Sequence, residues 1–144
     1  MSVILVRKEF VGDATFDRLK LWVIPVTTKF EERSHTFNFL VDTGSQRTVI
    51  DTVVSKIIDL KVGRESVEGV GVTGKERYFS AKLNLEIGPI SFLDQNVLVA
   101  ISLPGIYSRY QIDGILGADV LQSLYLKIDY PKKLLEIERL TTYY

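Results

Sequence analysis

The segment Phe37-Asn38-Phe39-Leu40-Val41-Asp42-Thr43-Gly44-Ser45 places the strongest constraint on the fold. An alternating apolar run, the pattern of a half-buried strand, leads straight into a carboxylate and then into a Thr-Gly-Ser turn. A carboxylate at the end of a buried strand is costly unless it is hydrogen-bonded or has a task there. The residues that follow are suited to holding it. Gly44 lets the backbone turn tightly and bring its N–H close. The hydroxyls of Thr43 and Ser45 can donate to carboxylate oxygens or tie the turn to its neighbours. Asp42 is therefore the first candidate for chemistry, set against the plainer reading of a structural aspartate closing a strand.

The rest of the chain reads as mostly β with one or two short helices. Val3–Val6 is β-prone but too short to stand alone, so it must pair with another strand. Gly12-Asp13 reads as a turn. Leu19–Thr28 is a strand, an edge or a broken one at Pro25, which has no N–H to donate. Lys29–Ser34 turns the chain, and His35–Val41 returns to deliver Asp42. Thr48-Val49-Ile50 is β-like, and Thr52–Leu60 has helical spacing at Val53, Ile57, Ile58 and Leu60. Gly69-Val70-Gly71-Val72-Thr73-Gly74 suits a hairpin tip. These residues fit an ordinary glycine-rich hairpin and a mobile flap over a bound ligand equally well. They do not fit a phosphate loop, since no Lys-Ser or Lys-Thr follows. Lys75–Ile87 and Ile90–Ile101 are long strands, and Leu103–Asp113 is loop-like. Gly114-Ile115-Leu116-Gly117 precedes a short helical run at Ala118–Leu124. Strands at Tyr125–Tyr130 and Leu134–Leu140 close the chain.

Composition removes several function classes. The 144 residues make one domain, 1–144. Eighteen Lys+Arg balance eighteen Asp+Glu with no long run of one sign, which argues against nucleic-acid binding. The chain has no cysteine and a single histidine, His35. Thiol chemistry, disulfides and a multi-histidine metal site are thereby excluded within one chain, and neither a metal nor another cofactor is expected. No apolar stretch approaches the ~20 residues of a membrane span. Charge follows the short apolar run at the N-terminus, the reverse of a signal peptide, so the expected location is cytoplasmic.

Three segments together resemble the retropepsin-like aspartic peptidases, single-lobe relatives of the pepsins. They are Leu40-Val41-Asp42-Thr43-Gly44-Ser45 with Thr48-Val49-Ile50, the glycine-rich Val67–Gly74, and Asp113-Gly114-Ile115-Leu116-Gly117-Ala118-Asp119-Val120-Leu121. Their order and separations fit one lobe. The first and third together are specific; Asp-Thr-Gly alone is not. The resemblance implies a closed acid-protease β-barrel and an endopeptidase in which two carboxylates activate a water against a peptide bond. This chain has one Asp-Thr-Gly; Asp113 and Asp119 lack its context. The resemblance therefore implies a homodimer with an Asp42 from each subunit on a two-fold axis.

The roles implied by the resemblance are as follows. Asp42 is the general acid/base. Thr43 locks the two active-site loops together across the dimer, and Gly44 offers its N–H. The Ser45 hydroxyl hydrogen-bonds the carboxylate and favours an acidic optimum. Gly69–Gly74 forms the flap over a polypeptide substrate, and Ile115-Leu116-Gly117 belongs to the second half of the motif. The alternative from another class is a non-catalytic dimerisation or peptide-binding module of the same fold.

Overall fold

The computed structural model describes residues 2–71 and 74–141. Among them are ten strands and four short helices. The order is β1 (Ser2–Glu9), α1 (Ala14–Leu19), β2 (Val23–Phe30), β3 (Arg33–Val41), β4 (Val49–Asp51), α2 (Thr52–Ile57) and β5 (Val62–Gly71). It continues with β6 (Gly74–Ile87), β7 (Ile90–Ala100), α3 (Gly105–Arg109), β8 (Gly114–Leu116), α4 (Ala118–Leu121), β9 (Tyr125–Asp129) and β10 (Leu134–Thr141).

Six strands close into a barrel in the order β2-β3-β8-β4-β7-β6, with β5 added outside β6. The closure is the antiparallel pairing of Thr27–Lys29 with Asn84–Glu86, reinforced by the Lys29–Glu86 ion pair. Pro25 sits before this stretch, where β2 pairs only with β3, so its missing N–H is tolerated. The barrel interior is filled by alternate residues of its strands, including Ile24, Val26, Phe39, Leu83, Leu85, Val97 and Val99. Phe10, Phe16 and Trp22 stack at one end of this core.

The chain ends form a second, three-stranded sheet, β1-β10-β9. β1 pairs with β10 along its whole length, from Ser2↔Thr141 to Glu9↔Leu134. The partner that Val3–Val6 requires is thus supplied by the same chain.

Two helices depart from the sequence reading. α1 lies between the expected turn at Gly12-Asp13 and the expected strand, taking Leu19 from the latter. Its signal is local: the Asp13 side chain accepts from the Phe16 N–H at 2.9 Å, and Lys20 ends the helix at φ +57°. α3 lies inside the expected loop. Six and five residues are too few to show a helical period.

Candidate active site

The barrel places Asp42 through one unusual insertion. β8 lies between β3 and β4, parallel to β3 and antiparallel to β4. Leu40 and Val41 are buried on both sides by this arrangement, which accounts for the unbroken apolar run before Asp42. The backbone N–H of Asp42 donates to the Leu116 carbonyl at 3.0 Å, and Ala118 N donates to the Ser45 carbonyl at 2.7 Å. The two segments read as halves of one motif are therefore hydrogen-bonded to each other.

The glycines of the second segment are required by close approach. A Cβ on Gly114 would lie 2.5 Å from the Phe39 ring, and one on Gly117 would lie 2.5 Å from the Arg47 carbonyl carbon. Neither φ is left-handed; space alone excludes a side chain.

Around Asp42 the geometry is open on one side. Its carboxylate is partly buried, and Oδ1 accepts from the Gly44 N–H at 2.9 Å. Thr43 and Gly44 are exposed. Ser45 departs from expectation. Its hydroxyl donates to the Arg47 carbonyl at 2.8 Å, and a hydroxyl has one proton to give, so it does not donate to Asp42. Ser45 shapes the loop rather than tuning the carboxylate.

Asp119 holds this loop, a role the sequence did not reveal. Its Oδ1 accepts from the Thr48 hydroxyl at 2.7 Å and from Val120 N at 2.9 Å, while Oδ2 accepts from Thr48 N at 3.0 Å. The Thr48 hydroxyl in turn accepts from Gly117 N at 3.1 Å. Thr48 is fully buried, so these donors have no water to fall back on. Asp119→Ala is expected to cost about 1–3 kcal/mol by stranding them. Urea denaturation should show a lower midpoint at unchanged slope.

The cleft wall beside the loop is a small apolar cluster. Val49, Leu98, Ala100 and Leu103 form its base, with Tyr78, Tyr107 and Ile115 packed against them. Burial, and then the Asp42 charge, raise the Tyr107 hydroxyl above its ordinary 10.0, so this phenol lies within electrostatic reach of the carboxylate. Tyr78 is pushed up to about 12 by burial, by its hydrogen bond to Glu76 and by the Glu76 charge. Tyr78 and the loop residues Gly44–Arg47 line one groove of about 370 Å³, so the base of the β5–β6 hairpin flanks the active-site loop. That hairpin pairs as far as Gly71↔Gly74. Of the expected flap, Val72 and Thr73 lie outside the described residues.

A second groove, about 470 Å³, includes His35, Asp51 and Asp113. Burial first, then the Asp51 charge, raise Asp113 above the ordinary 3.8, and His35 opposes this. An acid raised on folding binds its proton more tightly in the native state. Its stabilising contribution is complete below 3.8 and is lost as pH rises through the raised value. Asp113→Asn has no such loss. Its stability relative to wild type should therefore increase from acid to neutral pH, as read by denaturation midpoints at both. Among the described residues no three His, Asp or Glu side chains are grouped to hold a metal ion.

Comparison with known proteins gives a consistent picture. A family model described as Aspartyl protease matches residues 26–120, about two thirds of the chain. Among solved structures, the chain is similar to a retropepsin-like aspartic protease from Rickettsia conorii, with TM-score 0.59 and 17% identity over 96% of this chain and 93% of that one. It is similar to the EIAV protease in complex with the inhibitor HBY-793, with TM-score 0.54 and 25% identity over 76% and 92%. It is also similar to the retroviral protease-like domain of Ddi1 from Leishmania major, with TM-score 0.53 and 16% identity over 80% and 86%. No curated protein sequence matches significantly.

Proposed function

Since the chain belongs to the aspartyl protease family, and since it folds as a single retropepsin-like lobe, we propose that it is an aspartic endopeptidase assembled as a homodimer. The observation that carries this reading is the bonding of the Asp42 loop to the Gly114–Gly117 segment. It leaves one carboxylate partly open at the edge of a cleft, with Thr43 and Gly44 exposed beside it.

One such carboxylate is half of the machinery. Hydrolysis of a peptide bond by this chemistry needs one carboxylate to take a proton from water and a protonated one to give a proton to the scissile carbonyl oxygen. Among the described residues, Asp119 is committed to Thr48, and Asp113 lines a different groove. Neither completes the pair. A second copy does, because a two-fold axis brings the same loop against itself. Thr43 then lies at the junction and its hydroxyl joins the two loops. The β5–β6 hairpin covers the substrate and excludes water from the reacting atoms. The protein acts on a polypeptide, takes no cofactor and works in the cytoplasm.

Cleavage of a mixed peptide library at several pH values tests this. Cuts inside peptides, away from their ends, are expected. Peptide binding by an intact dimer without any cleavage would instead indicate a binding module.

A further inference from the structure

The groove beside Asp42 contains a cation with unused hydrogen-bond donors. Arg47 lines it, three positions after Gly44, together with Tyr78 and Leu98. The guanidinium's ionic neighbour among the described residues is Asp119, with Nε to Oδ2 at 3.6 Å, beyond hydrogen-bond length. Asp119 has little left to offer it. Its two oxygens already accept from Thr48 N, the Thr48 hydroxyl and Val120 N. Among the described residues the guanidinium therefore makes no hydrogen bond, while its side chain is about half exposed. A guanidinium presents five N–H donors in a planar fork matched to a carboxylate. The Tyr78 hydroxyl, which lines the same groove, donates to the Glu76 carboxylate.

We propose that Arg47 makes this groove the subsite for an acidic residue of the substrate, whose side-chain carboxylate takes paired N–H bonds from the guanidinium. The proposal rests on the peptidase reading and adds a substrate class to it. The groove flanks the catalytic loop, where a peptide cut internally presents side chains rather than chain ends. Val49 and Leu98 of the apolar cluster line the same groove and give the aliphatic part of an acidic side chain a surface to pack on.

The test uses acetylated and amidated peptides, so that only side chains supply carboxylates, with Glu, Gln or Lys at each position around the cut. Wild type should prefer Glu over Gln at one position by about 2- to 5-fold in kcat/KM, the size of a solvent-exposed ion pair. Arg47→Gln should bring that ratio close to one. Arg47→Glu should favour Lys, and Arg47→Lys should keep part of the preference for Glu. No preference in wild type, or one that persists in Arg47→Gln, overturns the proposal. So does a preference that appears only with free C-termini, which assigns the guanidinium to a chain end. A shift in dimer dissociation with the preference intact also overturns it, since Arg47 then serves the subunit contact.

The same peptides are titrated onto Asp42→Asn by fluorescence anisotropy. Tighter Glu-peptide binding that Arg47→Gln removes, with no cleavage by wild type, supports the acidic subsite and defeats the peptidase reading. Cleavage without any Arg47-dependent preference does the reverse.

Discussion

Asp42→Asn is expected to lower kcat/KM for peptide cleavage by about ten-thousand-fold while leaving the folded state close to wild type. The side chains are nearly the same size, and the bond that Asp42 makes within the chain survives. Asn keeps an oxygen to accept from the Gly44 N–H, now at 2.9 Å. The backbone bonds from Asp42 N to Leu116 and from Ser45 N to Asp42 do not involve the side chain. What is lost is the ability to take and return a proton, and in a homodimer both copies lose it together. Circular dichroism and the denaturation midpoint should be unchanged within about 0.5–1 kcal/mol.

A mixing experiment sharpens the result. If each site needs two Asp42 carboxylates, random pairing of equal amounts of wild type and variant leaves about one quarter of the dimers active. If one chain suffices, about half of the activity remains.

The second large effect is structural. Gly117→Ala should destabilise the fold by about 3 kcal/mol and remove activity with it. The new methyl would meet the Arg47 carbonyl carbon at 2.5 Å and Arg47 N at 2.9 Å. These are backbone atoms, with no flexible side-chain end to swing away. Relief must come from separating the Gly117 segment from the active-site loop, which strains Ala118 N to Ser45 O and Gly117 N to the Thr48 hydroxyl. Gly105 is the matched control. A Cβ there meets nothing within 4 Å, and it begins α3, so Gly105→Ala should be neutral to slightly stabilising. Thermal and urea unfolding of the pair separates crowding at Gly117 from a general sensitivity of glycines.

How much of this was readable in the chain depends on the range of each signal. Phe37–Ser45 was legible because strand alternation, a carboxylate and turn chemistry coincide within nine residues. The long strands β6 and β7 were legible from sustained β-prone runs, and their predicted bounds differ little from those found. α1 and α3 were not, since helices this short carry no period and tertiary packing decides them. Phe16 illustrates this: it anchors α1 by packing its ring against Phe10 and Trp22, contacts that are close in sequence but follow no helical or strand period.

The site shows the same division. Asp42 and the Gly114–Gly117 segment stand out by motif. Asp119 and Tyr107 do not. Asp119 sits 71 residues from its partner Thr48, and its spacing on α4 looks like an ordinary exposed acid. Tyr107 is one tyrosine in a Pro-Gly loop until the fold brings it near Asp42. Ser45 was misread for a geometric reason. Adjacency in sequence suggested a bond to the carboxylate, whereas the turn directs the hydroxyl toward the Arg47 carbonyl.

The central claim is that catalysis belongs to a pair of chains, each contributing Asp42. Cleavage rate per chain, followed through serial dilution alongside molecular mass by sedimentation, tests it most directly. The rate per chain should fall in proportion to the remaining dimer and vanish with it. A rate per chain that stays constant into the monomer range, or no cleavage where the mass is that of a dimer, would contradict it.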